Sequence, residues 1–372
     1  MSEIPQQVLA CAIATRTPVL LWGPPGIGKT ATIRSLAETM GLPLEIVIAA
    51  IHEPADFSGL PYPDGDRVRY LTPDWAVRLA EAGHGVLFLD EISTAPPAVQ
   101  AALLRIVLER RVGQLQLPDD VVVIAAANPP EEAAAGWELA APLANRFCHI
   151  DWPVPGTQEW TTGITVGWTP LLLPSALGEW QRYLPSARGL VAGFLSSAPH
   201  HLFALPEDLA QRGRAWPSPR TWEMATRMLA AVLALSPSEE LVATAVGACV
   251  GRGIGYELAA LVSGDRLLDP FAALADPEGN PLPERPDKLV ALLMAIAAVA
   301  SEDVDRYWTA AWTVIARVAG KRRDIAAVAA RPLARVYHTE LGRGRLLPMP
   351  PEAVEPLKEL LEAAGMITGG RR

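Results

Sequence analysis

Eight consecutive residues constrain this chain more than any others. Gly23-Pro24-Pro25-Gly26-Ile27-Gly28-Lys29-Thr30 fit G-x-x-x-x-G-K-[ST] at every fixed position. The apolar run Pro18 to Trp22 precedes them and reads as a strand, and Lys29 to Met40 carries apolar residues at helical spacing. A strand, a glycine-rich turn and a helix in that order build a phosphate cradle. The glycines let the loop curl so that backbone N–H groups point inward, and the helix adds its N-terminal partial positive charge. In such a loop Lys29 reaches the outer phosphates and the Thr30 hydroxyl ligates magnesium. Gly23 through Ala31 are therefore candidate nucleotide-binding residues.

A second signal lies downstream. Val86-Leu87-Phe88-Leu89 ends in the adjacent acids Asp90 and Glu91. A buried strand presents such a pair at the carboxyl edge of a sheet, where open α/β folds bind ligands. Asp90 is a candidate magnesium partner beside Thr30, and Glu91 a candidate base that orients and polarises water. Further strands are expected at Leu44 to Ala49, Val121 to Ala126 and Phe147 to Trp152, and a helix at Pro97 to Arg110. Short apolar runs alternating with helical patterns predict a mostly parallel sheet between helices.

With 372 residues the chain is too long for one ordinary core. The prolines and glycine of Asp151-Trp152-Pro153-Val154-Pro155-Gly156 break the pattern. They suggest an α/β nucleotide-binding domain over 1–155, a helical domain over 156–265 and a C-terminal helical extension over 266–372. Helices are expected at Glu207 to Arg212, Pro219 to Leu235, Ser238 to Val250, Lys288 to Ala300, Asp303 to Val318, Arg323 to His338 and Glu352 to Ala364, with Asp269 to Asp287 a connection. Cys11, Cys148 and Cys249 form no metal-binding spacing and read as small buried hydrophobes, and the six histidines form no ligand set. A net charge of −9 without a basic run argues against nucleic acid as principal partner. No apolar run reaches membrane-spanning length and no secretory signal opens the chain, so the cytoplasm is expected.

In order and approximate spacing, the glycine-rich loop, Asp90-Glu91, the strand ending near Asn128 and the triplet Asn145-Arg146-Phe147 resemble AAA+ ATPases, and within them the MoxR-like group, over roughly residues 1 to 260. The resemblance implies ATP and Mg2+ as ligands and ATP hydrolysis as the activity, with the helical domain acting as a lid. It implies that Asn128 is the first sensor, helping to position water, although Asn before two prolines also suits a plain turn. It implies that Arg146 reaches a neighbouring subunit's ATP, with Arg110 and Arg111 as competitors. It places the second sensor at Arg220, behind the helix start Ser218-Pro219; a cation in a first helical turn is poorly placed unless an anion lies nearby.

Leu60 to Tyr70, with Asp64-Gly65 at its centre, reads as a hairpin, and Arg111 to Pro118 as an arm of another. They look like the helix-2 insert and pre-sensor hairpin of the MoxR-like group. That group implies a homo-oligomeric ring, hexameric, and a protein client remodelled or matured with a partner bearing a von Willebrand factor A domain. A DNA-associated motor or loader and a nucleotide-switched scaffold with little turnover are the alternatives.

Overall fold

The structure, a computed structural model, describes residues 3–129, 137–262 and 268–367. Two compact units emerge: Met1–Trp180 with Phe203–Tyr256, and Gln181–Leu202 with Glu257–Arg372.

Strands β1 (Val19–Trp22), β2 (Leu44–Ile48), β3 (Leu60–Asp64), β4 (Arg67–Leu71), β5 (His84–Asp90), β6 (Arg111–Val112), β7 (Leu115–Gln116), β8 (Asp120–Ala127) and β9 (Cys148–Asp151) all belong to the first unit. Five of them form one parallel sheet in the order β2-β5-β8-β1-β9. β1 is buried throughout, β5 from Gly85 to Leu89 and β8 from Val121 to Ala127. Strands covered on both faces have no polar face to alternate with, which is why they read as unbroken apolar runs. The expected fold class is the observed one, and the five expected strands are present with ends shifted by a residue or so. β3–β4 and β6–β7 are separate antiparallel hairpins.

Helices α1 (Glu3–Ala14), α2 (Lys29–Met40), α3 (Ala55–Ser58), α4 (Asp74–Ala82), α5 (Pro97–Glu109), α6 (Ala141–Ala144) and α7 (Thr157–Val166) accompany the sheet. In chain order α8 (Leu184–Ser197), α9 (Leu209–Arg212), α10 (Pro219–Ala234), α11 (Glu239–Val250) and α12 (Arg252–Val262) follow. Of these, α9 to α11 lie in the first unit, where α10 and α11 pack on α1. The inward faces of α1, β9 and α11 bring Cys11, Cys148 and Cys249 into one buried group, and a hydrogen bond with Cys249, together with burial, holds the Cys148 thiol well above its ordinary range.

The second unit holds α8 with α13 (Pro270–Ala275), α14 (Pro286–Glu302), α15 (Val304–Ala319), α16 (Arg323–Gly342), α17 (Pro351–Val354) and α18 (Lys358–Ala363). Its axis is the α8–α14 pair, where backbones nearly touch. A Cβ on Gly189 would stand 2.0 Å from Ala295 Cα, and one on Gly193 2.5 Å from Ala291 Cα. Only glycine fits either position.

Three expectations need correction. The single helix expected over Glu352 to Ala364 is two, because Pro356 removes an N–H and its ring clashes with the carbonyl four residues back. The connection Asp269 to Asp287 contains α13, started by the Asp269 carboxylate accepting from Phe271 N at 2.8 Å. Helices α7 and α8 occupy a stretch where none was expected. Among the described residues, no helix is long and apolar enough to cross a membrane.

Candidate nucleotide site

Parallel strands bring their carboxyl ends to one edge of the sheet, and the glycine-rich loop leaves β1 at that edge. Gly26 and Gly28 have φ of +81° and +93°, a region that costs any residue with a Cβ. Gly23 lies against the chain after β9, where a Cβ would meet Trp152 O at 2.9 Å. The loop's glycines thus answer to backbone geometry and close approach.

Lys29, almost fully buried, donates from Nζ to Gly23 O, to Pro24 O at 3.0 Å and to Asn128 Oδ1 at 2.9 Å. Thr30 Oγ1 donates to Asp90 Oδ2 at 2.8 Å. Because β8 lies between β5 and β1, the end of β8 carries Asn128 into the gap between the acid pair and the loop. Sequence-distant Lys29, Thr30, Asp90 and Asn128 therefore meet at one place.

Glu91 joins them in a strained backbone. Its φ is +56°, uncommon for a residue with a side chain. The conformation is held from three sides: Glu91 N donates to Asp90 Oδ1 at 3.0 Å, Glu91 O accepts from Thr94 Oγ1 at 2.9 Å, and Ile92 N donates to Ala126 O at 3.0 Å. The reversal turns the exposed Glu91 side chain out of the strand's line at the carboxyl edge.

Arg146 and Arg220 are elsewhere. Arg146 precedes β9, whose last residue, Asp151, is in register with Trp22 at the start of the loop. Arg146 therefore sits in the turn that leads into the amino end of β9, at the opposite end of that strand from Asp151. Helix α10 starts beside it. Ser218 Oγ donates to Asn145 Oδ1 at 2.8 Å, Asn145 Nδ2 donates to Trp216 O at 3.2 Å, and Ser218 and Thr221 form a reciprocal cap. The helix then passes the amino end of β1, where Thr15 Oγ1 meets Met228 Sδ at 3.7 Å. Burial first, and then the charge of Arg220, depress the Arg146 guanidinium below its ordinary value, so the two arginines are within electrostatic reach of each other. Arg146 Nη1 donates to Pro142 O, while its buried Nε has no hydrogen-bond partner. Arg110 is turned into the fold, its Nη1 donating to Asp119 O at 2.8 Å and Val121 O at 2.6 Å.

Two groups of residues that sequence reasoning passed over frame the loop. Trp22 Nε1 donates to His149 Nδ1 at 2.8 Å, and His149 Nε2 lies 2.9 Å from Ala144 O, which fixes the proton on Nε2. Burial holds the His149 pKa down at about 4. Arg214 covers the Trp22 ring at 4.0 Å and pairs with Asp151 at 3.0 Å. On the other side a cavity of about 740 Å³ opens beside the loop, lined by Gln6, Ile27, Gly28, Thr32, Gly156 and Trp168 among others. Gly163 lets the Trp168 ring lie flat on α7, since a Cβ there would stand 2.5 Å from it. Trp168 and Gln6 carry no motif, so only the folded chain reveals them.

Residues 18–147 match the family described as AAA domain (dynein-related subfamily). The chain is 36% identical over 107 residues to Protein MoxR of Methylorubrum extorquens, a match covering 28% of this chain and 31% of that one. It is 33% identical over 95 residues to the Holliday junction branch migration complex subunit RuvB of Mycoplasma pneumoniae, covering 25% of each. The chain thus spans about a third or less of the length of these curated relatives. The structure of an inferred ATPase from Cytophaga hutchinsonii is similar at a TM-score of 0.44 and 18% identity, over 68% of this chain and 78% of that one. A strand-loop-helix cradle, an acid pair on the second strand over and the matching family model together make residues 18–147 an AAA domain, and the chain is similar over part of its length to Protein MoxR.

Proposed function

We propose that the chain hydrolyses ATP at sites shared between neighbouring copies, and that this cycle does work on a protein client. The meeting of Lys29, Thr30, Asp90, Glu91 and Asn128 at the carboxyl edge of the sheet carries the reading. The left-handed glycines leave the loop's N–H groups able to turn inward, and a hydroxyl beside a carboxylate is the all-oxygen donor set that magnesium prefers. Thr30 and Asp90 would hold that ion, which supplies charge neutralisation at the β- and γ-phosphate oxygens. Lys29 binds the same phosphates by exchanging its carbonyl partners for phosphate oxygens. The cavity beside the loop suits the nucleoside, with the Trp168 ring as one wall. Asn128 orients the attacking water and Glu91 takes up its proton as its oxygen bonds to the γ-phosphorus and the bond to ADP breaks.

Arg146, in the turn before the amino end of β9 and donating to Pro142 O, makes no hydrogen bond to its own subunit's loop among the described residues. Two guanidiniums within electrostatic reach of each other, one with a buried N–H and no partner, suit an anion brought by another molecule. A second copy brings that anion if its nucleotide edge meets this arginine edge. Such a contact joins two different surfaces, so it is head-to-tail, the kind of interface that closes into a ring or runs on as a filament; the resemblance to MoxR-like proteins favours a hexameric ring, and implies the client and a partner with a von Willebrand factor A domain. The intact Glu91 and Arg146 favour this over a switch with little turnover, and the charge of −9 favours it over a DNA motor.

Nucleotide titration tests the core of the proposal. Lys29→Ala loses tight ATP binding because the phosphate cation is gone, whereas Glu91→Gln keeps binding and loses turnover. Equal loss of binding in both variants contradicts these roles.

A further inference from the structure

The β3–β4 hairpin has one closed edge and one open edge. Its register pairs Asp64 with Arg67 across the turn Gly65-Asp66, with Gly65 at φ +61°. A pair that closes a two-residue turn exchanges backbone hydrogen bonds, and such pairs alternate along an antiparallel ladder. Tyr62–Arg69 and Leu60–Leu71 are therefore the other bonded pairs, and Pro61–Tyr70 and Pro63–Val68 the unbonded ones. On β3 every outward-facing position is a proline, so that edge has no N–H to offer another strand. On β4 the outward positions are Val68 and Tyr70, each with its N–H and C=O intact. Both strands are exposed, with Val68 57% and Tyr70 43% accessible.

We propose that the β4 edge is a binding site for an extended peptide whose residues alternate acidic and apolar, added antiparallel as a third strand. The claim rests on the protein-client reading and specifies how a client is gripped. Residues on β4 alternate between two faces. Arg67 and Arg69 share one face, while Val68 and Tyr70 share the other with Pro61 and Pro63, an uninterrupted apolar strip. A strand laid along β4 would set carboxylates beside the two guanidiniums and apolar side chains beside Val68 and Tyr70, the pairings that stabilise neighbouring strands. The arginines also discriminate. Edge charges repel or desolvate badly against a neutral or basic strand, and accept an acidic one. Arg69 already binds a carboxylate, that of Asp64 at 2.5 Å. The hairpin's base is braced rather than loose. A Cβ on Gly59, just before β3, would stand 2.6 Å from Leu71 O at the end of β4, and one on Gly113, at φ +56° in the β6–β7 turn, 2.6 Å from Ser58 O and 3.8 Å from Tyr70 Cβ.

The probe is an end-capped, fluorescent peptide of alternating glutamate and valine, read by anisotropy without nucleotide. Binding should weaken at least about tenfold when lysine replaces glutamate in the probe or when the valine amides are N-methylated, because these lose the arginine contacts and the edge hydrogen bonds respectively. On the protein, Val68→Pro removes an outward N–H without touching a ladder bond and should abolish binding with the melting temperature retained. Pro61→Thr with Pro63→Thr supplies donors to the closed edge and should raise the stoichiometry towards two peptides per chain. No binding by the unaltered chain, indifference to N-methylation, or equal affinity for the lysine peptide would overturn the site. Loss of self-association in Val68→Pro, with no peptide bound by the unaltered chain, would give the edge to a second copy instead. A chain that takes the peptide but does not hydrolyse ATP overturns only the hydrolase reading, and one that hydrolyses ATP but ignores the peptide overturns only the edge site.

Discussion

Thr30 Oγ1 donates to Asp90 Oδ2 at 2.8 Å, joining the first turn of α2 to the end of β5 across the strand that carries Asn128. The two oxygens are already adjacent, so a metal ion would find both donors in place. Thr30→Val removes one donor without altering the shape of the helix. ATP affinity measured with magnesium should fall about tenfold, roughly 1.4 kcal/mol, while affinity measured in EDTA stays the same. A titration in which both affinities fall together would mean that Thr30 serves the fold and not the ion.

His149 sets a pH dependence of stability. Its folded pKa is about 4 against 6.5 for the free group, chiefly because burial penalises the charged ring. Protonation would also set an N–H on Nδ1 facing the Trp22 N–H, donor against donor. Since the unfolded chain binds the proton first, the contribution is complete above about pH 6.5 and is lost as pH falls toward 4, amounting to roughly 3 kcal/mol. Chemical denaturation of His149→Asn across that window should show a flatter profile than the unaltered chain. An unchanged slope would assign the acid sensitivity to other groups.

Trp168 should matter to the base and not to the phosphates. Stacking on an aromatic ring contributes on the order of 1–3 kcal/mol per base, so Trp168→Ala should weaken ATP by about tenfold or more. Tripolyphosphate, which has no base, should bind both proteins alike in a competition assay. Equal weakening of the two ligands would remove Trp168 from the nucleoside wall.

Much of this site is legible in the sequence because its parts are local. The glycine-rich loop announces itself by spacing, Asp90-Glu91 by ending an apolar run, and the start of α10 by Ser218-Pro219, which is the cap the structure contains. What escapes is whatever depends on which elements become neighbours. Trp168, Gln6 and Arg214 meet the loop only through packing of distant segments, and the three cysteines, widely spaced in the chain, meet between α1, β9 and α11. Arg110 and Arg146 look alike as isolated arginines. The fold separates them, directing the first into backbone carbonyls and leaving the second within electrostatic reach of Arg220 with an unpartnered N–H.

The central claim is that the hydrolytic site is completed by a neighbour's arginine, and mixing two inactive variants tests it most directly. Arg146→Ala keeps Glu91, Glu91→Gln keeps Arg146, and arginine fingers are worth about 10³ to 10⁵ in rate, so each variant alone should turn over ATP at no more than about a thousandth of the normal rate. Combined, they form interfaces that pair an intact Glu91 with an intact Arg146. The account predicts that ATP turnover reappears in the mixture, and that turnover per subunit of the unaltered chain rises with protein concentration. A mixture that stays inactive, beside an unaltered chain whose specific activity does not depend on concentration, would contradict it.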